Sequence, residues 1–337
     1  MRATVFLLLA LSACATLPSP SPFQEQLLAT IPDDAELLTL AFTPDGREVA
    51  YIARFGDVYR AIRGTRKSPP FDGICCISIS DDGKRAAFLA NRQGAQVVVL
   101  DDSELKTYGR ESSPGWPIAF SGNGTVMAYP LFRAKDHQGS IVVNGVEGPV
   151  FENVGWPALS RDGRVVAYRA CRNDDWFIRI GDREEPSYDS ITDPVVSDDG
   201  STVAYAAENY GKWTLHQGSR TSTLLGMPHK IFISPDGRHV GWIDLASLPE
   251  GGSKMRVIVD GKPGEAFGIV GKPSFSPTES LAVYGAEEAD RIFVVIGTRK
   301  FETPDRVGDP VFSPDGRKVG YGARIGRELW WKVIDVP

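Results

Sequence analysis

The aromatic residues best suited to hold a ligand are two tryptophans that share one local context. Trp116 and Trp156 each stand in the tripeptide Gly-Trp-Pro. Two neighbouring indole rings could stack a peptide or a sugar ring, because indole combines a flat apolar face with a polar N–H. Packing of both rings inside the fold is the alternative. At the corresponding places later in the chain stand charged residues: Asp193, Lys230, Lys272 and Asp309.

A second set of candidate binding residues is charged and follows an aromatic residue at eight recurring places. Five members are arginines and three are acids: Arg54, Arg92, Arg133, Arg172 and Arg324, with Glu208, Asp244 and Glu287. If the two signs occupy separate arcs of one surface, the resulting field could orient a charged partner. Ordinary charged loop tips are the alternative interpretation.

Sequence motifs of the common enzyme classes do not occur. There is no Gly-x-Ser-x-Gly elbow, no Gly-x-x-x-x-Gly-Lys-Ser phosphate loop and no His-Glu-x-x-His metal helix. The four histidines are scattered along the chain: His137, His216, His229 and His239. We therefore predict no catalytic residue, no metal ligand and no cofactor. Carboxylates from distant segments could still converge into an acid/base pair.

An eight-fold internal repeat supplies the elements that must position these residues. In each copy a Ser or Thr precedes a tight turn, as in Ser313-Pro314-Asp315-Gly316, and an alternating Val-Ala-Tyr-like segment follows. The eight Ser or Thr residues lie 37 to 42 residues apart, at Thr43, Ser80, Ser121, Ser160, Ser197, Ser234, Ser276 and Ser313. Pro-Asp-Gly reverses the chain between two strands. A third strand and a weaker fourth complete each copy.

About 40 residues with four strands make one propeller blade. We predict an all-β fold, a single eight-bladed β-propeller, with seven blades plus an extra hairpin as the alternative. The last copy ends after its third strand, so residues 26–31 are expected to supply its outer strand. Two turns depart from the repeat, Gly122-Asn123 in blade three and Thr278-Glu279 in blade seven, and both are expected to be altered.

Blade topology assigns the candidate residues to surfaces. The Pro-Asp-Gly turns lie on one face of a propeller, while the loops between second and third strands lie on the other. The turn aspartates, such as Asp45 and Asp315, are therefore expected to be structural and too dispersed to bind a metal. Trp116 and Trp156 are expected at the mouth of the central channel. The eight charged residues are expected on the rim of the loop-bearing face.

The Ser-Pro-Asp-Gly-x-x-Val-Ala-Tyr unit resembles the WD-repeat-like repeats of TolB-type β-propellers over nearly all of the mature chain. The resemblance implies a propeller fold. It also suggests an interaction module of the cell envelope.

The N-terminus resembles that of a bacterial lipoprotein. Arg2 precedes an apolar run too short to span a bilayer, and Leu11-Ser12-Ala13-Cys14 matches the lipobox. We predict a signal peptide over 1–13, a lipidated Cys14 with a Pro/Ser-rich spacer over 14–25, and a propeller of about eight four-stranded blades over 26–337. Ala15, in place of Asp, favours the outer membrane facing the periplasm. An ordinary cleaved signal peptide is the alternative.

Three further cysteines lie in the predicted propeller. Cys75 and Cys76 are adjacent in an apolar run, and Cys171 is distant from them. No His or further Cys stands at ligand spacing, so a metal site is not indicated. We interpret the three as buried small hydrophobic residues, with a vicinal or a long-range disulfide as the alternative.

The overall composition is that of a globular protein. The 337 residues are 42% hydrophobic and 24% charged with a net charge of −6, which excludes a disordered chain and a polytopic membrane protein. The acidic balance argues against a nucleic-acid partner. The predicted function is a monomeric, lipid-anchored envelope module that binds a protein, peptide or other ligand. An enzyme acting on a glycan or other small substrate in the channel, and a purely structural lipoprotein, are the alternatives.

Overall fold

Eight antiparallel sheets make up the protein. The computed structural model describes residues 24–136, 138–247, 252–303 and 306–336, which form strands and turns and no helix. Each sheet has four strand positions, and the sheets follow one another along the chain. The predicted eight-bladed β-propeller is confirmed, and the alternative of seven blades plus a hairpin is wrong. The predicted signal peptide, lipobox and most of the spacer lie outside the described residues.

We number the blades in chain order and give their strands from the innermost outward. Blade one has Glu36–Phe42, Val49–Phe55, Val58–Arg63 and Arg66–Lys67; blade two has Gly73–Ile79, Ala86–Arg92, Ala95–Leu100 and Ser103–Tyr108. In blades three and four the inner strand is interrupted: Ser112–Pro114 with Ala119–Phe120, Met127–Arg133, Gly139–Val143, Val146–Glu147; then Asn153–Val154 with Ala158–Leu159, Val166–Arg172, Asp175–Ile180, Arg183–Glu184.

The second half of the chain repeats this arrangement. Blade five has Ser190–Ile191 with Val195–Val196, Val203–Asn209, Lys212–Gln217 and Arg220–Thr223; blade six has Lys230–Ile233, Val240–Ser247, Ser253–Val259 and Lys262–Phe267. Blade seven has Ile269–Val270 with Ser274–Phe275, Ala282–Glu288, Arg291–Ile296 and Arg299–Thr303; blade eight has Arg306–Val307 with Val311–Phe312, Lys318–Ile325 and Glu328–Asp335.

The N-terminal strand closes the ring. Gln26–Thr30 pairs antiparallel with Glu328–Asp335 and so forms the outer strand of blade eight, as the repeat count predicts. The Arg327 guanidinium donates to the carbonyls of Ile31 and Ala35, each at 3.0 Å. Closure therefore joins the two ends of the described chain within one sheet.

The hydrophobic core is divided among the contacts between blades. Each of eight buried clusters joins two consecutive blades, and the last joins blade eight to blade one. Alternate residues of each second strand face opposite neighbours, which is why the repeat carries apolar residues at successive positions there. Burial between blades is thus what makes the ring a single folding unit.

The repeated turn is built around a buried hydroxyl. In blade five the Ser197 Oγ–H donates to Asp199 at 2.6 Å and accepts the Thr202 N–H at 3.1 Å. Gly200 takes a positive φ of 71°, which closes the turn. The hydroxyl-bearing residue is buried in all eight blades. These contacts explain why Ser, Asp and Gly recur together.

The two atypical turns differ from one another. In blade seven Thr278 replaces the aspartate and lies 3.2 Å from the Ser276 hydroxyl, so this turn is altered as expected. In blade three the Asn123 side-chain oxygen accepts from Ser121 at 2.8 Å, and Gly124 has a φ of 67°. The expectation of an altered turn in blade three is wrong, because the asparagine oxygen replaces the carboxylate at the same position.

Candidate binding site

A central channel is the largest feature that residues from many blades build together. A cavity of about 690 Å³ is lined by residues from seven of the eight blades, which places it on the propeller axis. The inner strands of blades five to eight form most of its wall, while blades one, two and four contribute turn residues. This volume lies within the range of sites for small ligands. We call the end with the Ser-x-Asp-Gly turns the turn face and the opposite end the loop face.

The residue after each buried Ser or Thr surrounds the turn-face mouth. From blade one to blade eight these residues are Pro44, Asp81, Gly122, Arg161, Asp198, Pro235, Pro277 and Pro314. Backbone hydrogen bonds of 2.9 Å link neighbouring turns from Asn123 to Arg161, from Arg161 to Asp198 and from Asp198 to Pro235. Proline has no N–H to donate. We therefore distinguish the linked turns of blades three to five from the proline turns of blades six, seven, eight and one.

Two lysines line the channel on neighbouring blades. Lys230 and Lys272 each stand four residues before the buried serine of their own inner strand, in blades six and seven. No carboxylate oxygen of the described residues lies within 4 Å of either ammonium group. Burial lowers the pKa of Lys230, and the charge of Lys272 lowers it further, against the opposing effect of Asp309. Both lysines are exposed to the water of the lumen, and the two cations act on one another there.

Acidic residues and one arginine face the same lumen. Asp81 is exposed to the water of the channel, but the channel wall encircles that water and so partly desolvates the carboxylate. This burial raises the pKa of Asp81, while the charges of Lys272 and Arg161 oppose the rise. Arg161 is paired with Asp198 at 3.3 Å. The channel therefore holds a carboxyl group that protonates more readily than an exposed one.

The two tryptophans do not form an equivalent pair. Trp116 lies five residues before Ser121, whereas Trp156 lies only four before Ser160, so their registers differ. The Trp116 ring packs on the core between blades two and three. Trp156 is 39% exposed and meets Phe132 edge to face at 6.4 Å between centroids. Within the described ranges, neither ring belongs to the residues that line the channel.

Most of the predicted rim arginines are paired inside their own blades. Each arginine at the end of a second strand meets a glutamate of the outer strand: Arg92 with Glu104, Arg133 with Glu147 and Arg172 with Glu184. The Arg172–Glu184 pair has two hydrogen bonds, of 3.0 and 3.1 Å. Such pairs neutralise the charge locally. These three arginines of blades two to four therefore do not form an arc of unpaired positive charge.

The remaining rim residues occupy other registers. Arg54 pairs with Glu36, and Asp244 accepts from Arg256 at 2.8 Å. The Glu208 carboxylate accepts the Gly211 N–H, Glu287 is exposed, and Arg324 donates to the Gly326 carbonyl at 3.0 Å. The eight residues follow their aromatic neighbours by two to four positions. Since successive strand residues point to opposite sheet faces, they do not form one uniform ring.

The cysteines take the vicinal alternative. Cys75 and Cys76 are joined in a disulfide, where the preferred sequence interpretation had two reduced buried residues. Cys75 is exposed at an irregularity in the inner strand of blade two, and Cys76 is buried. Cys171 is a buried free thiol, and burial raises its pKa. No group of three or more His, Cys, Asp or Glu within the described ranges is placed to hold a metal ion.

Sequence reasoning located only part of this channel. It identified Lys230, Lys272 and Asp309 as counterparts of the tryptophans but gave them no role, and it missed Asp81 and Arg161. A usable signal exists in the repeat, because charged residues interrupt the prolines at the position after the buried Ser. The described residues contain no helix long and apolar enough to cross a bilayer.

Comparison with known proteins supports the fold. No family model and no curated protein matches the chain. Among solved structures, the C-terminal WD40 domain of Sif2 is similar with a TM-score of 0.54 and 12% identity, over 93% of this chain and 99% of that one. An oligogalacturonate lyase from Vibrio parahaemolyticus is similar with a TM-score of 0.50 and 14% identity, over 93% and 97%. At such identities the likeness shows the fold alone: an eight-bladed β-propeller with WD40-like repeats.

Proposed function

We propose that this protein is a lipid-anchored β-propeller of the bacterial cell envelope that binds a protein, peptide or small ligand at its channel and loop face. The observation that carries the proposal is the pair of channel lysines without a carboxylate partner among the described residues. Two like charges held on neighbouring strands repel one another, and a purely structural propeller would gain nothing from them. Binding of a complementary group gives them a role.

The contrast between rim and channel supports this reading. On the rim, Arg172 and Asp244 find oppositely charged partners within their own blades. In the channel, Lys230 and Lys272 face a lumen large enough for a ligand. Several rim charges are therefore neutralised within their blades, whereas the two channel lysines have no such partner among the described residues. That distribution suits a binding module better than an inert scaffold.

The proposed anchor bears on orientation. Cys14 stands twelve residues before Gln26, and a polyproline-like spacer of that length reaches at most about 37 Å. The Gln26 side chain donates to the Gly46 carbonyl at 2.6 Å, which puts the start of the first strand beside a turn of blade one. A lipid on Cys14 would thus hold the turn face toward the membrane. The loop face would point into the periplasm, with the outer membrane favoured by Ala15.

One observation favours a second candidate, an enzyme that acts in the channel. Burial raises the pKa of Asp81, which is the direction that general-acid catalysis by a carboxyl group requires. Asp198, from another blade, lies near enough to contribute to that rise. Asp81→Asn would separate the two functions, because it should abolish turnover by an enzyme and leave a binding module able to capture its ligand.

Lipid labelling tests the anchor. Cells that express the full chain are fed an alkyne fatty acid, and the protein should carry the label and fractionate with the outer membrane. Cys14→Ser should lose both properties, whereas Cys171→Ser, which removes a buried free thiol, should keep them. Equal labelling of the wild type and Cys14→Ser, or none in either, would contradict the proposed anchor.

Site-specific photocrosslinking in cells tests the binding face. A photoreactive residue replaces Tyr210, which is 93% exposed on the loop face, or Arg164, whose side chain is 87% exposed on the turn face. We expect discrete adducts with envelope components from position 210 and not from position 164. The reverse pattern, or no adduct at either position, would overturn the proposed binding face.

A further inference from the structure

We propose that Lys230 and Lys272 form an anion-binding site in the channel, for a small ligand that carries a carboxylate or a phosphate group. This inference deepens the proposed function and rests on it for its biological setting. The binding chemistry itself depends only on the channel. It can be measured without knowledge of the natural ligand.

The two lysines are at the same height on the propeller axis. Lys230 stands four residues before Ser234, and Lys272 stands four before Ser276, so equivalent positions of neighbouring inner strands carry the two cations. Both serines are buried and fixed by their turns, which sets the register of each strand. Two ammonium groups that line one lumen from adjacent strands can share one anionic group between them.

Electrostatics makes an anion the complementary ligand. The charges of Lys230 and Lys272 repel one another, and the channel wall partly desolvates Lys230. Asp309 stands at the corresponding position of blade eight and attracts Lys230, but its carboxylate lies more than 4 Å from either ammonium group. An anion seated between the two lysines would relieve their repulsion and accept hydrogen bonds from both ammonium groups.

Neighbouring carboxylates limit the negative charge that the ligand can carry. Asp81 faces Lys272 from the turn end of the lumen, and Asp309 flanks Lys230. A polyanion would meet both carboxylates, whereas a ligand with one anionic group would meet only the lysines. The remaining wall includes apolar strand residues of blades five and six, such as Val195 and Ile231. We therefore assign a ligand with one carboxylate or phosphate on a partly apolar or neutral body.

Lysine side-chain NMR on the full-length chain tests the site. The protein is labelled with ¹³C at lysine Cε, and the two signals are assigned by their loss in Lys230→Met and Lys272→Met. Butyrate serves as the carboxylate probe and methyl phosphate as the phosphate probe, with butyramide as the neutral analogue of butyrate. We expect saturable shifts of both signals with at least one anion and none with butyramide. Lys262, exposed on the outer strand of blade six, is the internal control.

Variants make the test specific. Removal of either lysine should weaken binding at the other by about tenfold, whereas Lys272→Arg should retain binding because the charge and donors remain. Unfolding curves confirm that each variant is folded. Absence of a saturable shift with both anions, or equal affinity in wild type and Lys272→Met, would overturn the inference. Lipid labelling and crosslinking are independent of these probes, so a failure here leaves the outcome for the proposed function separate.

Discussion

The linked turns of blades three to five and the proline turns of blades six, seven, eight and one share one turn structure. They differ in whether a backbone hydrogen bond joins the turn to its neighbour. Both kinds bury a hydroxyl such as that of Ser197 or Ser313 against an aspartate. In the linked turns of blades four and five the next residue, Arg161 or Asp198, donates its N–H to the neighbouring turn, and in blade three Asn123 does so. In the proline turns that donor is missing, and inner strands of this half carry the unpaired lysines. The two sides of the ring therefore differ in whether backbone hydrogen bonds join neighbouring turns.

Loss of the tryptophan at the ring closure should have the largest effect. The buried Trp331 ring packs against Phe42 at 6.3 Å between centroids, across the junction of blades eight and one. Trp331→Ala should lower the free energy of unfolding by about 3–5 kcal/mol in denaturant titrations. The matched change Trp156→Ala, in the linked half and 39% exposed, should cost less than about 1 kcal/mol. Equal losses would show that the closure is no more sensitive than the linked side.

Replacing Gly320 by the alanine that blade five carries at this position should lower the stability of the proline half. Blade five carries Ala204 where blade eight carries Gly320, and a Cβ at Gly320 would collide with the Trp331 ring. Gly320→Ala should therefore destabilise the protein by about 1–3 kcal/mol through overpacking. The reciprocal Ala204→Gly should cost about 1 kcal/mol through lost packing and greater chain entropy. A stabilised Gly320→Ala variant, measured by urea unfolding, would contradict this account of the departure from the repeat.

Acid should weaken the linked side through His216 in blade five. Its ring stacks on Tyr205 at 4.7 Å, and within the described residues its buried Nε2 has no hydrogen-bond partner. Burial lowers the pKa of His216 below the usual 6.5, against the opposing charge of Glu185. The unfolded chain then binds the proton first, so stability is full above pH 6.5 and declines as the pH falls through the lower folded pKa.

His216→Phe should flatten this decline, because phenylalanine keeps the stacking and removes the titrating group. Urea unfolding at a series of pH values between 7.5 and 5 measures the slope. His229→Gln, which changes an exposed histidine next to the inner strand of blade six, should leave the slope as in the wild type. If His216→Phe retains the wild-type slope, acid sensitivity resides elsewhere.

The smallest effects should distinguish paired from unpaired channel charges. Lys230→Met should raise stability slightly at neutral pH, because it removes a cation that Lys272 repels and the wall desolvates. Arg161→Met breaks a solvent-exposed pair with Asp198 and should lower stability by less than about 1 kcal/mol. Thermal unfolding in low salt should give shifts of opposite sign. A loss of stability in both variants would mean that Lys230 contributes to the fold.

The sequence predicted the positions of several charged channel residues, but it could not predict which of the charges form ion pairs. The repeat aligned Lys230, Lys272 and Asp309, but alignment does not give the distance between side chains from different blades. The rim residues do not form one ring for a related reason: Arg92 and Arg54 differ by one position after the aromatic residue and so point to different faces. Trp116 and Trp156 differ in the same way. A shift of one residue leaves the motif recognisable, but in a strand it turns the side chain to the opposite face of the sheet.

The sequence by itself determined the number of blades, the turn that recurs in each and the closure by Gln26–Thr30, since local turn chemistry and period-two patterning repeat eight times. Only the tertiary structure decided which charges are neutralised. Arg172 finds Glu184 within one blade, whereas the lysines of blades six and seven meet no carboxylate within 4 Å in the described chain. Electrostatic interaction depends on separation in space, and closure of the ring sets that separation for residues far apart in sequence.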